Sequence, residues 1–244
     1  MIADSVERPN TLKGSYRHSR WELRRRFLRF LIQNIGFNLL AKVDHIVGVE
    51  NIPVQGSAII MINHVAFIDS IVALNCVPRN IVPMAKIEVY NYPFIGIFPR
   101  IWGVIPVRRE EVDRQAIRQA LDVLHAGEMI LMAPEGTRGP QLQQGKVGVA
   151  YIASRSGAPV IPVAITGTPG FPALRFSARW REPGASVRFG RPFSFRSDLK
   201  HPSRDLLRQM TDEAMYVLAS MLPEEKRGVY SDLTKATQET ICWV

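Results

Sequence analysis

The segment Asn63-His64-Val65-Ala66-Phe67-Ile68-Asp69 directly follows an apolar run over residues 57–62. Histidine is the side chain best suited to moving a proton near neutral pH. A carboxylate on one ring nitrogen would fix its tautomer, stabilise the imidazolium and leave the other nitrogen as a general base. On a continuous helix, positions five apart point about 140° away from each other. His64 and Asp69 therefore meet only if the histidine sits in a strand–helix turn and the aspartate in the helix after it. A chain with five histidines offers this spacing readily by chance, so the pair alone carries little weight. A second group, Pro134-Glu135-Gly136-Thr137-Arg138, follows the apolar run 128–133. Gly136 permits a tight turn, and Arg138 can offer a planar fork to a phosphate or carboxylate. A surface turn with a Glu–Arg pair explains the same residues. Two further runs end in cations: Gly103-Val104-Ile105-Pro106-Val107-Arg108-Arg109 and Met84-Ala85-Lys86-Ile87-Glu88. Taken singly each cation is an ordinary surface charge; together Lys86, Arg108, Arg109 and Arg138 would make an anion site.

For these groups to converge, strand ends must be brought to one edge. Strands are expected at 57–62, 81–85, 103–107, 128–133, 159–165 and 185–189, and helices at 68–76, 110–126, 147–156 and 203–222. Several strands are almost continuously apolar, as strands covered on both faces are. The alternation predicts an α/β fold: a single domain with a mainly parallel mixed sheet flanked by helices. Ligands gather at the carboxyl edge of such sheets.

The 244 residues suffice for one large α/β domain. Lys and Arg exceed Asp and Glu by 31 to 22, a net charge of +9, which points to an anionic partner. Two cysteines, Cys76 and Cys242, make neither a disulfide framework nor a cysteine-rich metal site and fit a reducing compartment. Eight of the basic residues, against three acidic ones, lie in the first 30 residues. Within residues 20–41, Leu23, Phe27, Leu31 and Ile35 recur at four-residue steps with Leu28, Phe30, Ile32 and Leu39 beside them, and Arg25, Arg26, Arg29 and Gln33 fall on the other side. This predicts a basic amphipathic helix lying in a membrane interface, with arginines toward anionic headgroups. A helix packed on the protein's own core is the competing reading. The apolar stretch is shorter than the roughly 20 residues of a spanning helix, and no secretory leader, myristoylation glycine or prenylation box is recognisable. The expected division is a membrane-association segment at 1–43, a catalytic domain at 44–232 and a tail at 233–244.

A serine elbow, zinc motifs and a dinucleotide fingerprint are missing, and residues 139–146 fail the P-loop spacing. In order along the chain, the remaining blocks resemble the glycerolipid acyltransferase family, most closely its 1-acylglycerol-3-phosphate (lysophosphatidate) acyltransferases. Asn63-His64 to Asp69 looks like the family's first block, Gly103 to Arg109 its second, Glu135 to Arg138 its third, and Val160-Ile161-Pro162-Val163-Ala164 its fourth. Lys86 with Glu88, the turn Gly145-Lys146-Val147-Gly148 and the closing residues 222–230 agree, so the resemblance covers about residues 45–230. Gly139 stands where the family often has serine.

The resemblance implies that His64, oriented by Asp69, takes the proton from an acceptor hydroxyl as it attacks an acyl thioester. Either acyl-CoA or acyl carrier protein would be the co-substrate; no cofactor or metal is implied. It further implies that Lys86, Arg109, Glu135, Gly136, Thr137 and Arg138 bind the acceptor's glycerol-phosphate, Gly136 through its backbone, and that lysophosphatidic acid becomes phosphatidic acid at the cytoplasmic face of a membrane, with the protein peripheral. Another lyso-lipid, an amino-acid lipid or a glycolipid as acceptor is the alternative. A non-catalytic basic module binding membrane or nucleic acid fits less well: it leaves the polar strand ends unexplained, and aromatics do not interleave with the basic run as stacking platforms would.

Overall fold

The computed structural model describes residues 16–244 apart from 18, 94, 110 and 200. Among the described residues nine strands form one mixed sheet: β1 Val43–Val47, β2 Ala58–Ile62, β3 Ile81–Lys86, β4 Ile105–Val107, β5 Met129–Met132, β6 Val160–Thr166, β7 Ala185–Phe189, β8 Phe193–Phe195 and β9 Ile241–Trp243. The order is β1-β7-β6-β2-β5-β3-β4, with β8 pairing β6 and β9 pairing β8. From β6 through β4 every pair is parallel. β7 runs antiparallel to β6, and β1 follows β7 in parallel.

Strand β2 is buried at every position because alternate side chains enter two different cores. Ile59 and Met61 face α5 (Arg114–His125), α6 (Gly148–Ser156) and α7 (Arg204–Ser220). Ala58, Ile60 and Ile62 face α3 (Asp69–Cys76), α4 (Ile97–Trp102) and the N-terminal helix. The result is three layers with helices on both faces, as the near-continuous apolar strands require. Helix α5 shows how the sequence sets its ends: Asp113 caps it by accepting from the Ala116 N–H, and Ala116, Ala120, Val123 and Leu124 line its buried side.

The strand expected at 103–107 begins only at Ile105, because α4 precedes it and ends at Gly103, whose φ of +76° closes the helix. A Cβ at Gly103 would lie 2.8 Å from the Trp21 ring, so the glycine also admits the N-terminal helix. Helix 110–126 starts at Arg114, where its cap stands. Strands β1, β8 and β9 were not expected. Residues 233–244, expected as a tail, carry β9, and Glu213 of α7 accepts hydrogen bonds from Thr237, Glu239 and Thr240 there.

The N-terminal helix runs as α1 (Ser19–Leu31), a π-helical turn (Ile32–Gly36) and α2 (Phe37–Leu39). Trp21, Leu28, Ile32 and Phe37 pack inward, while Leu23, Phe27, Phe30, Ile35 and Leu39 are exposed. One expectation is corrected: Arg25 and Arg29 do not join the outer polar side. Arg25 is fully buried, donating through Nε to the Trp102 carbonyl (2.8 Å) and through a terminal nitrogen to the Tyr16 hydroxyl (2.6 Å). Arg29 donates to the Arg79 carbonyl. The helix thus packs on its own core along one side and leaves an apolar stripe outside. Among the described residues no helix is long and apolar enough to cross a membrane.

Candidate active site

The carboxyl ends of β2, β3, β4 and β5 deliver the expected residues to one edge. After β2 the chain turns through residues 63–68 and enters α3 at Asp69. The turn is closed by Asp69 itself: its Oδ2 accepts from the N–H groups of Val65 (2.6 Å) and Ala66 (2.7 Å) and from His64 Nδ1 (3.1 Å). A carboxylate only accepts, so Nδ1 carries a proton, and in the neutral ring the lone pair is on Nε2. Asp69 has no exposure, and its Oδ1 is buried without a hydrogen-bond partner among the described residues. The Asn63 side chain fastens the same turn to β6, donating to the Ile165 carbonyl (2.8 Å) and accepting from the Ile165 N–H (2.7 Å).

Glu135, expected among the acceptor ligands, is placed differently. It is 3% exposed, and both oxygens are engaged by backbone: Oε1 by the His64 N–H (3.0 Å) and Oε2 by the Gln143 N–H (2.9 Å). Burial pushes its carboxyl up to about 7; the bonds from Gln143 and His64 pull against that, and Asp69 adds a smaller rise. Glu135 therefore braces the histidine turn against the loop 139–146, which a further bond from the Gly139 N–H to the His64 carbonyl (3.0 Å) reinforces. Gly136 has φ +68°, and a Cβ there would press on the Lys146 side chain at 3.1 Å. Lys146 thus lies across the Glu-Gly-Thr-Arg turn, a cation that sequence reading left among supporting features.

Thr137 and Arg138 are exposed beyond that turn. Arg109 lies within electrostatic reach of both Arg138 and Glu88: the surrounding protein lowers its guanidinium pKa, Glu88 opposes that and Arg138 adds to it. Arg108 turns elsewhere, with a terminal nitrogen 3.7 Å from Glu111. Lys86 ends β3 beside β4, its ammonium 5.7 Å from the Tyr92 ring centre. Arg109, Arg138 and Lys86 thus follow or end strands at the same carboxyl edge as the His64 turn.

The loop 139–146 is held from behind by the late chain. The Leu142 N–H donates to the Lys226 carbonyl (2.9 Å), the Val229 N–H to the Leu142 carbonyl (3.2 Å), and the Gly145 N–H to the Tyr230 hydroxyl (3.1 Å). Tyr230 in turn donates to Asp212 (3.0 Å). Residues 222–230 thus back the loop, a role that no local pattern in them announces.

These features define a three-layer α/β protein with a His–Asp pair and a cluster of cations at the carboxyl edge of its sheet. The chain belongs to the acyltransferase family, whose model matches residues 45–166. It is 32% identical over 130 residues to a 1-acyl-sn-glycerol-3-phosphate acyltransferase of Borreliella burgdorferi, covering 52% of each chain. It is 28% identical over 165 residues to the Bacillus subtilis protein of the same name, covering 67% of this chain and 80% of that one. The crystal structure of the 1-acyl-sn-glycerophosphate (LPA) acyltransferase of Thermotoga maritima superposes with a TM-score of 0.59 at 26% identity, covering 82% of this chain and 80% of that one. The match spans about half the length of the Borreliella relative.

Proposed function

We propose that this protein transfers a fatty acyl group from a thioester, acyl-CoA or acyl carrier protein, to the free hydroxyl of lysophosphatidic acid, giving phosphatidic acid. The observation that carries the mechanism is the single Asp69 oxygen holding both His64 Nδ1 and the turn around it, which leaves Nε2 for a substrate. Nε2 takes the proton as the acceptor hydroxyl attacks the thioester carbonyl. The C–S bond then breaks, and the departing sulfur takes the proton back from the imidazolium. A thioester is already activated, so a base, positioning and charge stabilisation suffice without a covalent enzyme intermediate. Arg109, Arg138 and Lys86 hold the acceptor phosphate, with Thr137 at the same turn, and Lys146 is a further cation beside it. Gly136 supplies the turn and Glu135 holds the histidine loop, so neither is assigned to the phosphate.

Residues 1–43 are proposed to hold the protein peripherally on the cytoplasmic face of an anionic membrane through the exposed stripe of α1 and α2; residues 1–15 lie outside the described part. The test is thiol release from oleoyl-coenzyme A or an acyl carrier protein thioester, with lysophosphatidic acid and other lyso-lipids as acceptors. Turnover confined to lysophosphatidic acid supports the reading, and turnover only with a different acceptor rejects this acceptor. His64→Ala is expected to lower kcat by roughly 10²–10⁴; near-native turnover would overturn the role of His64.

A further inference from the structure

The loop between β6 and β7 places large apolar side chains in water. Phe176 is 93% and Leu174 69% exposed. The loop is nonetheless firmly built. The Arg179 guanidinium donates to the carbonyls of Pro169 (2.8 Å), Pro183 (2.8 Å) and Gly167 (2.6 Å) and lies 3.9 Å over the Phe171 ring. Trp180 Nε1 donates to the Ala173 carbonyl (2.6 Å), and the Ala173 N–H donates to the Leu40 carbonyl (2.7 Å), just past the end of α2. The tip is therefore joined to the N-terminal helix, whose exposed stripe continues through Leu39 and Leu40.

The strand registers say where this apolar surface lies. β6 runs parallel to β2, so its end at Thr166 is at the edge where β2 hands over to His64. β7 starts at that edge opposite Thr166, and β1 starts there opposite Ala185. The loop and the α2–β1 junction thus share the edge that carries the His–Asp pair. Arg175 and Arg181 are exposed beside the tip and form no ion pair among the described residues. Apolar side chains at the tip with free arginines around them match an anionic lipid surface in both polarity and charge.

We infer that Leu174 and Phe176 form a second bilayer contact, entering the acyl-chain boundary while Arg175 and Arg181 meet anionic headgroups. Two contacts, the stripe of α1 and α2 and this tip, fix the orientation of the molecule and turn the His64 edge toward the lipid. This rests on the reading that the protein works at a membrane surface. The test attaches an environment-sensitive fluorophore to the new thiol of Phe176→Cys in the full chain. The other exposed thiol is removed by Cys242→Ser, and Cys76 is buried. A parallel label goes on Phe27→Cys in α1. Vesicles of equal parts phosphatidylcholine and phosphatidylglycerol are added.

The expected result is a blue shift and quenching by lipid-borne quenchers at both positions. A response at 27 without one at 176 overturns the inference and leaves the helix reading standing; no response at either, with no co-sedimentation, overturns both. The double variant Leu174→Ser/Phe176→Ser is expected to bind these vesicles about tenfold more weakly and to keep its turnover on detergent-dispersed substrate. Unchanged vesicle binding overturns the inference, as does a shift in oligomeric state without vesicles, which would make the tip a contact between copies of the chain.

Discussion

Replacing Asp69 by Asn separates charge from geometry at the site. Asp69 Oδ2 takes three donors while Oδ1 is buried with none. Asparagine can put its carbonyl oxygen where Oδ2 stands and its amide nitrogen in the unpartnered place, so the turn survives and the negative charge does not. Opposite charges about 4 Å apart at an effective dielectric near 20 attract by about 4 kcal/mol. That attraction is complete only once His64 holds the substrate proton, so it belongs to the transition state. It corresponds to at most about 10³ in rate. Asp69→Asn is accordingly expected to lower kcat by about 10²–10³ with little change in KM for the acceptor. Its amide nitrogen, buried without an acceptor, should reduce unfolding free energy by about 1–3 kcal/mol. Asp69→Ala leaves the Val65 and Ala66 N–H groups and Nδ1 without an acceptor and is expected to lose more stability than Asn. Steady-state kinetics and urea unfolding of both variants test this. An Asn variant within about twofold of native kcat, or an Ala variant as stable as the Asn one, would refute the reasoning.

Four further outcomes are expected. The folded-state pKa of Glu135, about 7, lies above the ordinary 4.5, so its contribution to stability is full at low pH and is lost as pH rises through about 7; the stability gap between native protein and Glu135→Gln should shrink from pH 5 to 8 in urea titrations, and a constant gap would contradict the assigned burial. Gly136→Ala forces a side chain to φ +68° against Lys146 and should cost about 1–2 kcal/mol and most of kcat, read by thermal unfolding and turnover. Arg25→Ala removes the bonds to Trp102 and Tyr16 and should destabilise by about 2–4 kcal/mol. Leu23→Ser, at an exposed position, should change stability by less than about 0.5 kcal/mol and instead weaken vesicle co-sedimentation.

What the sequence disclosed was local. The runs that became β2, β5 and β6 stand out because strands buried on both faces need continuous apolar residues. The His64–Asp69 meeting was legible because both residues lie within one turn and its helix. The opposite holds for Glu135, whose partner His64 is 71 positions away; only the folded sheet shows that its oxygens are engaged. Arg25 was misplaced for a related reason. Helical spacing assigns an arginine to the polar side, and nothing local reveals the Trp102 carbonyl 77 positions on that receives it. β9 escaped because three residues, two of them exposed, carry no pattern until β8 lies beside them. The exposed stripe of α1 was visible as periodicity, but which of its sides would face inward was decided by tertiary packing.

The brace behind the loop 139–146 also has a consequence for timing during synthesis. His64, Asp69 and Glu135 all leave the ribosome long before residues 226–230, which supply the Lys226 carbonyl, the Val229 N–H and the Tyr230 hydroxyl to that loop. A nascent chain can pair its central strands early, while the loop that carries Gln143 toward Glu135 lacks its backing until late. Competence is thus expected to switch on once residues 226–230 have been made, not to grow with chain length. Stalled chains released just before and just after residue 230 should differ sharply in the protease resistance of that loop.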